Sequence, residues 1–111
     1  MAYDTRLAKR VRTAFGSGSR MIETAMEHEV SFVYRGHLTC AIVGEDLHVR
    51  VGPAGYKPAL ERTGTRPAQR EGRPWKDMVI VDIAGIRTRV QLARWVREGM
   101  TYVRTLPVKQ A

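Results

Sequence analysis

The segment Ser31–Val51, S-F-V-Y-R-G-H-L-T-C-A-I-V-G-E-D-L-H-V-R-V, carries the pattern that decides the fold. Apolar residues alternate with their neighbours in three short runs, most clearly in L-H-V-R-V at 47–51. Short turn sequences, R-G at 35–36 and G-E-D at 44–46, separate the runs. Alternation with period two and short turns are typical of an antiparallel meander with one face on the core.

Helical patterns flank the meander on both sides. Asp4 precedes apolar residues at the spacing of one helical face, and G-S-G-S at 16–19 ends that helix; the face is Leu7, Val11, Ala14 and Phe15. A short helix is predicted at 53–61, although Pro58 lies inside it. T-R-V-Q at 88–91 is a capping box that opens a final helix ended by Pro107, with the stripe Leu92, Trp95, Val96, Gly99, Val103 and Leu106.

The remaining strand signal is M-V-I-V-D-I at 78–83, a β-branched run typical of a central strand. It follows a polar, basic region at 62–77, so one or two strands are expected after the second helix. The predicted order is α-β-β-β-α-β-β-α, a two-layer α+β fold with helices backing an antiparallel sheet. The length, 111 residues, suits one domain spanning 1–111.

Composition excludes several classes of protein. Cys40 is the sole cysteine, so neither an internal disulfide nor a cysteine-based zinc cluster can form. No apolar run is long enough to cross a bilayer, and the first ten residues lack a signal-peptide core. We therefore expect a cytoplasmic protein that does not associate with membranes.

The net charge of +8 is unevenly distributed: residues 1–20 carry +4, residues 21–50 carry −3 and residues 51–111 carry +7. Such a balance attracts nucleic acid or an acidic protein surface, or it merely solvates an arginine-rich exterior. We favour the interpretation that the arginines only solvate the protein surface, because no basic motif interleaved with aromatic residues is present.

The stretch Glu27-His28-Glu29 is the first candidate for chemistry. Three adjacent side chains diverge in either a strand or a helix, so they cannot converge on one ion. The stretch is interpreted as surface, and neither a metal nor another cofactor is expected. Cys40 lies among apolar neighbours and is interpreted as a buried, inert thiol.

Exposed cationic and aromatic residues form the other candidate site. His48 and Arg50 are expected to point away from the core. His37 and His48 are interpreted as a polar turn residue and a polar strand residue, in preference to an anion-binding or pH-sensitive patch with Arg35 and Arg50. Trp75 either anchors a partner or covers a sheet edge. The candidate partner or anion surface is Arg35, His48, Arg50, Arg66, Arg70, Arg73 and Trp75.

Several phrases resemble the amino-terminal domain family of TfoX, also called Sxy, a regulator of competence genes in some bacteria. They are M-A-Y-D at 1–4, V-G-E-D-L-H-V-R-V-G-P at 43–53, G-R-P-W-K-D-M-V-I-V-D at 72–82 and T-R-V-Q-L-A-R-W-V-R-E-G at 88–99. The resemblance covers nearly the whole chain and implies a two-layer fold with an antiparallel sheet. The family's Met-Phe-Gly-Gly is replaced after Met26 by Glu27-His28-Glu29, and the chain resembles stand-alone members that lack a further domain.

We therefore predict a non-enzymatic interaction or regulatory module with a protein partner, linked through the resemblance to transcription or competence. A weak nucleic-acid-binding protein is the alternative, and an enzyme ranks third because no triad, dyad or metal set is visible. If nucleic acid is the ligand, Arg62, Arg66, Arg70 and Arg73 should lie on one contiguous face. A homodimer is compatible with the sequence.

Overall fold

A computed structural model describes residues 2–109 and contains one six-stranded antiparallel sheet. The strands follow one another across the sheet in the order β1-β2-β3-β4-β6-β5. Their bounds are β1 Ile22–Ala25, β2 Glu29–Tyr34, β3 His37–Val43, β4 Asp46–Arg50, β5 Thr65–Arg70 and β6 Arg73–Val81. This architecture confirms the predicted α+β class with an antiparallel sheet.

Three helices, α1 Thr5–Phe15, α2 Pro53–Leu60 and α3 Arg89–Arg104, accompany the sheet. Asp4 caps α1, because its carboxylate accepts hydrogen bonds from the first-turn backbone amides. The predicted capping box is present at α3: the Thr88 hydroxyl accepts from the Gln91 amide, and the Gln91 side chain accepts from the Thr88 amide. These caps fix where both long helices begin.

One face of the sheet forms the core. Cross-strand pairing places two apolar rows on this face, namely Phe32, Cys40, Val49 and Val79, and Val30, Ile42, Leu47 and Val81. All eight side chains are buried and belong to the same hydrophobic cluster as the apolar sides of the three helices. Leu92, Trp95, Val96 and Val103 are buried there as predicted. In the predicted central strand, Val79 and Val81 form the core face.

The opposite face, hereafter the outer face, is not covered by any helix in residues 2–109. One cross-strand row traverses it with one residue from each strand: Thr24, Ser31, Ala41, His48, Ile80 and Arg66. Thr24 and Arg66 are exposed, and Ser31, His48 and Ile80 are half-buried. The predicted placement of His48 away from the core is therefore confirmed.

Strand β1 is not among the elements predicted from the sequence. I-E-T-A at 22–25 is four residues long and lacks an apolar alternation, so its extended form depends on pairing with β2. The observed order is α-β-β-β-β-α-β-β-α, with one strand more than predicted. Within residues 2–109 no helix is long and apolar enough to cross a membrane.

Three strand and helix bounds also differ from the prediction. Strand β6 begins at Arg73 rather than at Met78, because a hairpin with β5 extends it through the basic region. Ile83 does not belong to the strand; it opens a short 3-10 turn capped by Asp82 and is largely exposed. At the other end of the chain, Leu106 lies beyond α3, which ends at Arg104.

Candidate partner-binding end of the sheet

The antiparallel register brings one group of candidate residues to the same end of the sheet. Strands β2, β4 and β5 finish at this end, and β3 and β6 begin there. The residues that it collects are Arg35, Arg50, Arg70, Arg73 and Trp75. We call this group the basic end. It extends across five strands, or roughly 20 Å at the usual spacing between strands.

The opposite end of the sheet carries the opposite charge. Its hairpins hold Glu27, Glu29, Glu45 and Asp46. Only Arg66 among the candidate arginines lies towards this end, and its guanidinium is 2.7 Å from the Asp46 carboxylate. The sheet is therefore electrically polarised along its strands, which the net charges of sequence segments did not reveal.

Trp75 is the aromatic residue of the basic end and is half-buried. The guanidinium carbon of Arg70 is 4.9 Å from the Trp75 ring centroid, and that of Arg50 is 6.0 Å away. Both distances are within the range of a cation–π contact. The indole therefore lies close to two cations, and part of its surface faces solvent.

Arg50 does not point freely away from the core as predicted. Its Nε donates a hydrogen bond to Asp77 Oδ2 at 2.5 Å, and its guanidinium is 5.6 Å from the Tyr102 ring centroid. The Arg50 and Asp77 side chains are mostly buried, at 21% and 12% exposure. An acid that the sequence analysis did not single out, Asp77, therefore fixes the position of this arginine.

Asp77 and Tyr102 connect the basic end to α2 and α3. The Asp77 carbonyl accepts hydrogen bonds from the amides of Val51 and Gly52, which lead into α2. Burial raises the pKa of the Tyr102 phenol above its ordinary value, and the Asp77 charge raises the pKa further. The phenol therefore stays protonated and can donate a hydrogen bond near neutral pH.

Arg35 lies at the other side of the basic end, in the β2–β3 turn with a positive φ of 57°. Its carbonyl accepts a hydrogen bond from the Lys109 amide, and its guanidinium is 3.4 Å from the Arg104 carbonyl. The residue after the turn, His37, begins β3, and its Nε2 is 2.7 Å from the Pro107 carbonyl oxygen. The segment after α3 therefore holds the backbone of this turn in place.

The four arginines proposed as a nucleic-acid face do not lie together. Arg62 is on the helical side, where its guanidinium lies 3.5 Å from the Trp95 ring centroid and binds Glu98 at 2.6 Å. Arg66 pairs with Asp46, whereas Arg70 and Arg73 are opposite each other in the β5–β6 hairpin. Two of the four cations are therefore neutralised by carboxylates away from the basic end.

His48 is also separate from the basic end, in the centre of the outer face. Burial lowers its pKa below the ordinary value, and the charge of Arg66 lowers the pKa as well, whereas Asp46 and Glu29 oppose the shift. The patch of His48 with Arg35 and Arg50, which was the less favoured interpretation of the sequence, is therefore not formed. Near neutral pH, His48 contributes a neutral imidazole to the outer face.

The lowered pKa of His48 makes a pH dependence testable. The unfolded chain takes up a proton as the pH falls through about 6.5, while the folded state resists until a lower pH. The contribution of His48 to the free energy of unfolding should therefore decrease as the pH falls below about 6.5 and should be constant at higher pH. We expect His48→Gln to lose less stability than the parent between about pH 7.5 and pH 5, measured by urea unfolding. His28→Gln, at an exposed turn, is the matched control and should retain the parental pH dependence.

The stretch Glu27-His28-Glu29 forms the β1–β2 hairpin turn. The Met26 amide donates to the Glu29 carbonyl at 2.7 Å, and His28 Nε2 is 3.6 Å from Glu27 Oε1. Both of these side chains are largely exposed. Within the described residues, no three His, Cys, Asp or Glu side chains come together as a metal-binding group.

Cys40 lies in the core row of β3 and is fully buried. Burial in apolar surroundings raises the pKa of its thiol, because the thiolate would be desolvated. A thiol in this state is neither a nucleophile nor a redox sensor. The predicted burial of Cys40 is confirmed.

Comparison of the chain with protein-family models, with curated proteins and with solved structures gave no match.

Proposed function

We propose that the protein is a non-enzymatic interaction module whose basic end binds an acidic segment of a protein partner. The observation that supports this proposal best is the half-buried Trp75 within cation–π distance of Arg50 and Arg70, with Arg35 and Arg73 at the same end of the sheet. Tryptophan and arginine are the residues most enriched where protein interfaces gain their affinity.

The fixed position of Arg50 adds to this proposal. Since Asp77 and Tyr102 already hold its guanidinium, little side-chain freedom is lost when a partner docks on Trp75. Arg70 and Arg73 are exposed and can pair with carboxylates. The extent of roughly 20 Å matches an extended acidic segment of about six residues.

The alternative function, weak binding of nucleic acid, draws on the same cations. The separation of Arg62 and Arg66 from Arg70 and Arg73 reduces the number of phosphates that one face can contact. Fewer phosphate contacts mean weaker binding with a shallower dependence on salt. The resemblance of the chain to the TfoX amino-terminal domain family favours a regulatory role in the cytoplasm of a bacterium over a role in nucleic-acid recognition.

The test is affinity capture from a native lysate with Arg70→Glu/Arg73→Glu as the diagnostic variant. Arg87→Glu/Arg89→Glu is the matched control, because it changes the net charge equally at exposed positions before and within the first turn of α3. We expect the parent and the control to capture the same protein, with at least a tenfold loss for the diagnostic variant, since buried interface charges are worth about 2 kcal/mol or more. Circular dichroism should show that all three proteins fold alike.

Nuclease treatment separates the two functions. Capture that persists after nuclease supports a protein partner. Capture that nuclease abolishes identifies nucleic acid as the ligand and contradicts the proposal. Equal loss in the diagnostic and control variants would show attraction to net charge alone, which also contradicts a defined binding end.

A further inference from the structure

The outer face of the sheet carries several apolar residues that remain partly or largely exposed. Ile22, Val33 and Leu38 are neighbours across β1, β2 and β3, and Ile22 is 63% exposed. Val43 is a further apolar residue of the same face and is 40% exposed. The half-buried Ile80 extends the apolar surface onto β6.

The charge of the outer face also differs from that of the remaining protein. Its charged side chains next to the central row include Glu29, Asp46 and Arg66, and the last two form an ion pair at 2.7 Å. The face is therefore close to neutral, whereas the chain carries +8. Two copies that meet through arginine-rich surfaces repel each other, but two copies that meet through this face do not.

The dimensions of the outer face fit a small interface. Six strands at about 4.8 Å spacing and five residues along each strand cover an area on the order of 400 Å² per copy. The total solvent-accessible area buried by two such faces is on the order of 1,000 Å², near the lower limit for a specific interface. This size predicts a reversible dimer with a dissociation constant in the micromolar range.

We propose that two copies of this chain pack outer face against outer face around a twofold axis. The central residues of the row, Ala41 and His48, lie nearest the axis, and the apolar residues of β1–β3 in one copy pack on β4 and β6 of the other. The basic end stays free in this dimer. The dimer is therefore independent of the proposed function, and either can fail without the other.

The neutral state of His48 is consistent with a central position. The charged groups around it on the same face are Asp46 and Glu29, which favour its protonation, and Arg66, which opposes it. A twofold axis near His48 brings two imidazoles close together, so that protonation of both adds like-charge repulsion. The dimer should therefore weaken as the pH falls from neutral into the acidic range in which His48 becomes protonated.

The test is sedimentation velocity of the full chain from about 1 to about 300 µM, with Val43→Lys as the diagnostic variant. The new lysine lies beside Glu29 and Asp46, so the monomer tolerates it, while dimer formation has to bury an added charge away from water. Val90→Lys is the matched control: it makes the same change at a 76% exposed residue on α3. We expect a monomer–dimer equilibrium that Val43→Lys weakens at least tenfold and Val90→Lys leaves unchanged.

Three results would overturn the proposal. The parent could remain monomeric over the whole concentration range, or it could form open-ended assemblies instead of a dimer. Equal weakening by Val43→Lys and Val90→Lys would show that association depends on net charge and not on the outer face. If the outer face binds a different protein instead of a second copy, the parent would remain monomeric, which is the first of these results.

Discussion

Trp95→Ala is expected to lower the free energy of unfolding by about 3–5 kcal/mol, the usual cost of truncating a large buried aromatic side chain. Trp95 is 1% exposed and packs between α3 and the core face of the sheet. Its indole nitrogen donates a hydrogen bond to the Gly85 carbonyl at 3.2 Å. The substitution therefore leaves a cavity and a buried carbonyl without its donor.

The effect extends to Arg62, whose guanidinium packs on the indole while Glu98 holds it. Chemical denaturation monitored by far-ultraviolet circular dichroism measures the loss in free energy of unfolding. In thermal unfolding, we expect the melting temperature to fall by more than about 10 °C. Val90→Ala on the same helix is the control, because Val90 is largely exposed and surface substitutions change stability by about 0.5 kcal/mol or less. Equal stability of Trp95→Ala and the parent would contradict the packing of α3 on the sheet.

Gly52→Ala is expected to cost roughly 2–4 kcal/mol, from backbone strain and from a steric clash together. Gly52 precedes α2 with φ 82° and ψ 166°, a conformation that side-chain-bearing residues rarely adopt. A Cβ atom at this position would lie 2.4 Å from Cδ1 of Tyr102. Since the Gly52 amide donates to the Asp77 carbonyl, the backbone cannot relax without breaking a hydrogen bond at the basic end.

Gly18→Ala is the matched control for this prediction. A Cβ atom at Gly18 meets no heavy atom within 4 Å, so this substitution should be close to neutral. Thermal unfolding of both variants beside the parent measures the difference. Similar melting temperatures for Gly52→Ala and Gly18→Ala would show that Tyr102 does not pack tightly on the start of α2.

Most of the core could be predicted from sequence because it depends on local periodicity. The alternation of Leu47, Val49 and Val51 marks a half-buried strand, and the spacing of Leu92, Trp95 and Val96 marks a helical face. These residues are buried by the hydrophobic effect in any arrangement that pairs strands and covers one face. Caps such as Asp4 were predictable for the same reason, since they bond to amides within one turn.

Strand β1 and the first half of β6 could not be predicted in this way. I-E-T-A at 22–25 has little intrinsic preference for a strand, and P-W-K at 74–76 interrupts any alternation before Met78. Their extended conformation results from hydrogen bonds to β2 and to β5, which are non-local. A hydrogen-bond ladder to a neighbouring strand leaves no periodic signal in the residues themselves.

The sequence by itself determined the α+β class, the meander, the helix caps, the burial of Cys40 and the residue types of the candidate surface. Tertiary structure alone decided which cations act together. It separated Arg62 and Arg66 from Arg70 and Arg73, and it joined Arg50 to Asp77. The physical reason is that burial follows local periodicity, whereas an ion pair or a cation–π contact requires two side chains, distant in sequence, to approach within a few ångströms.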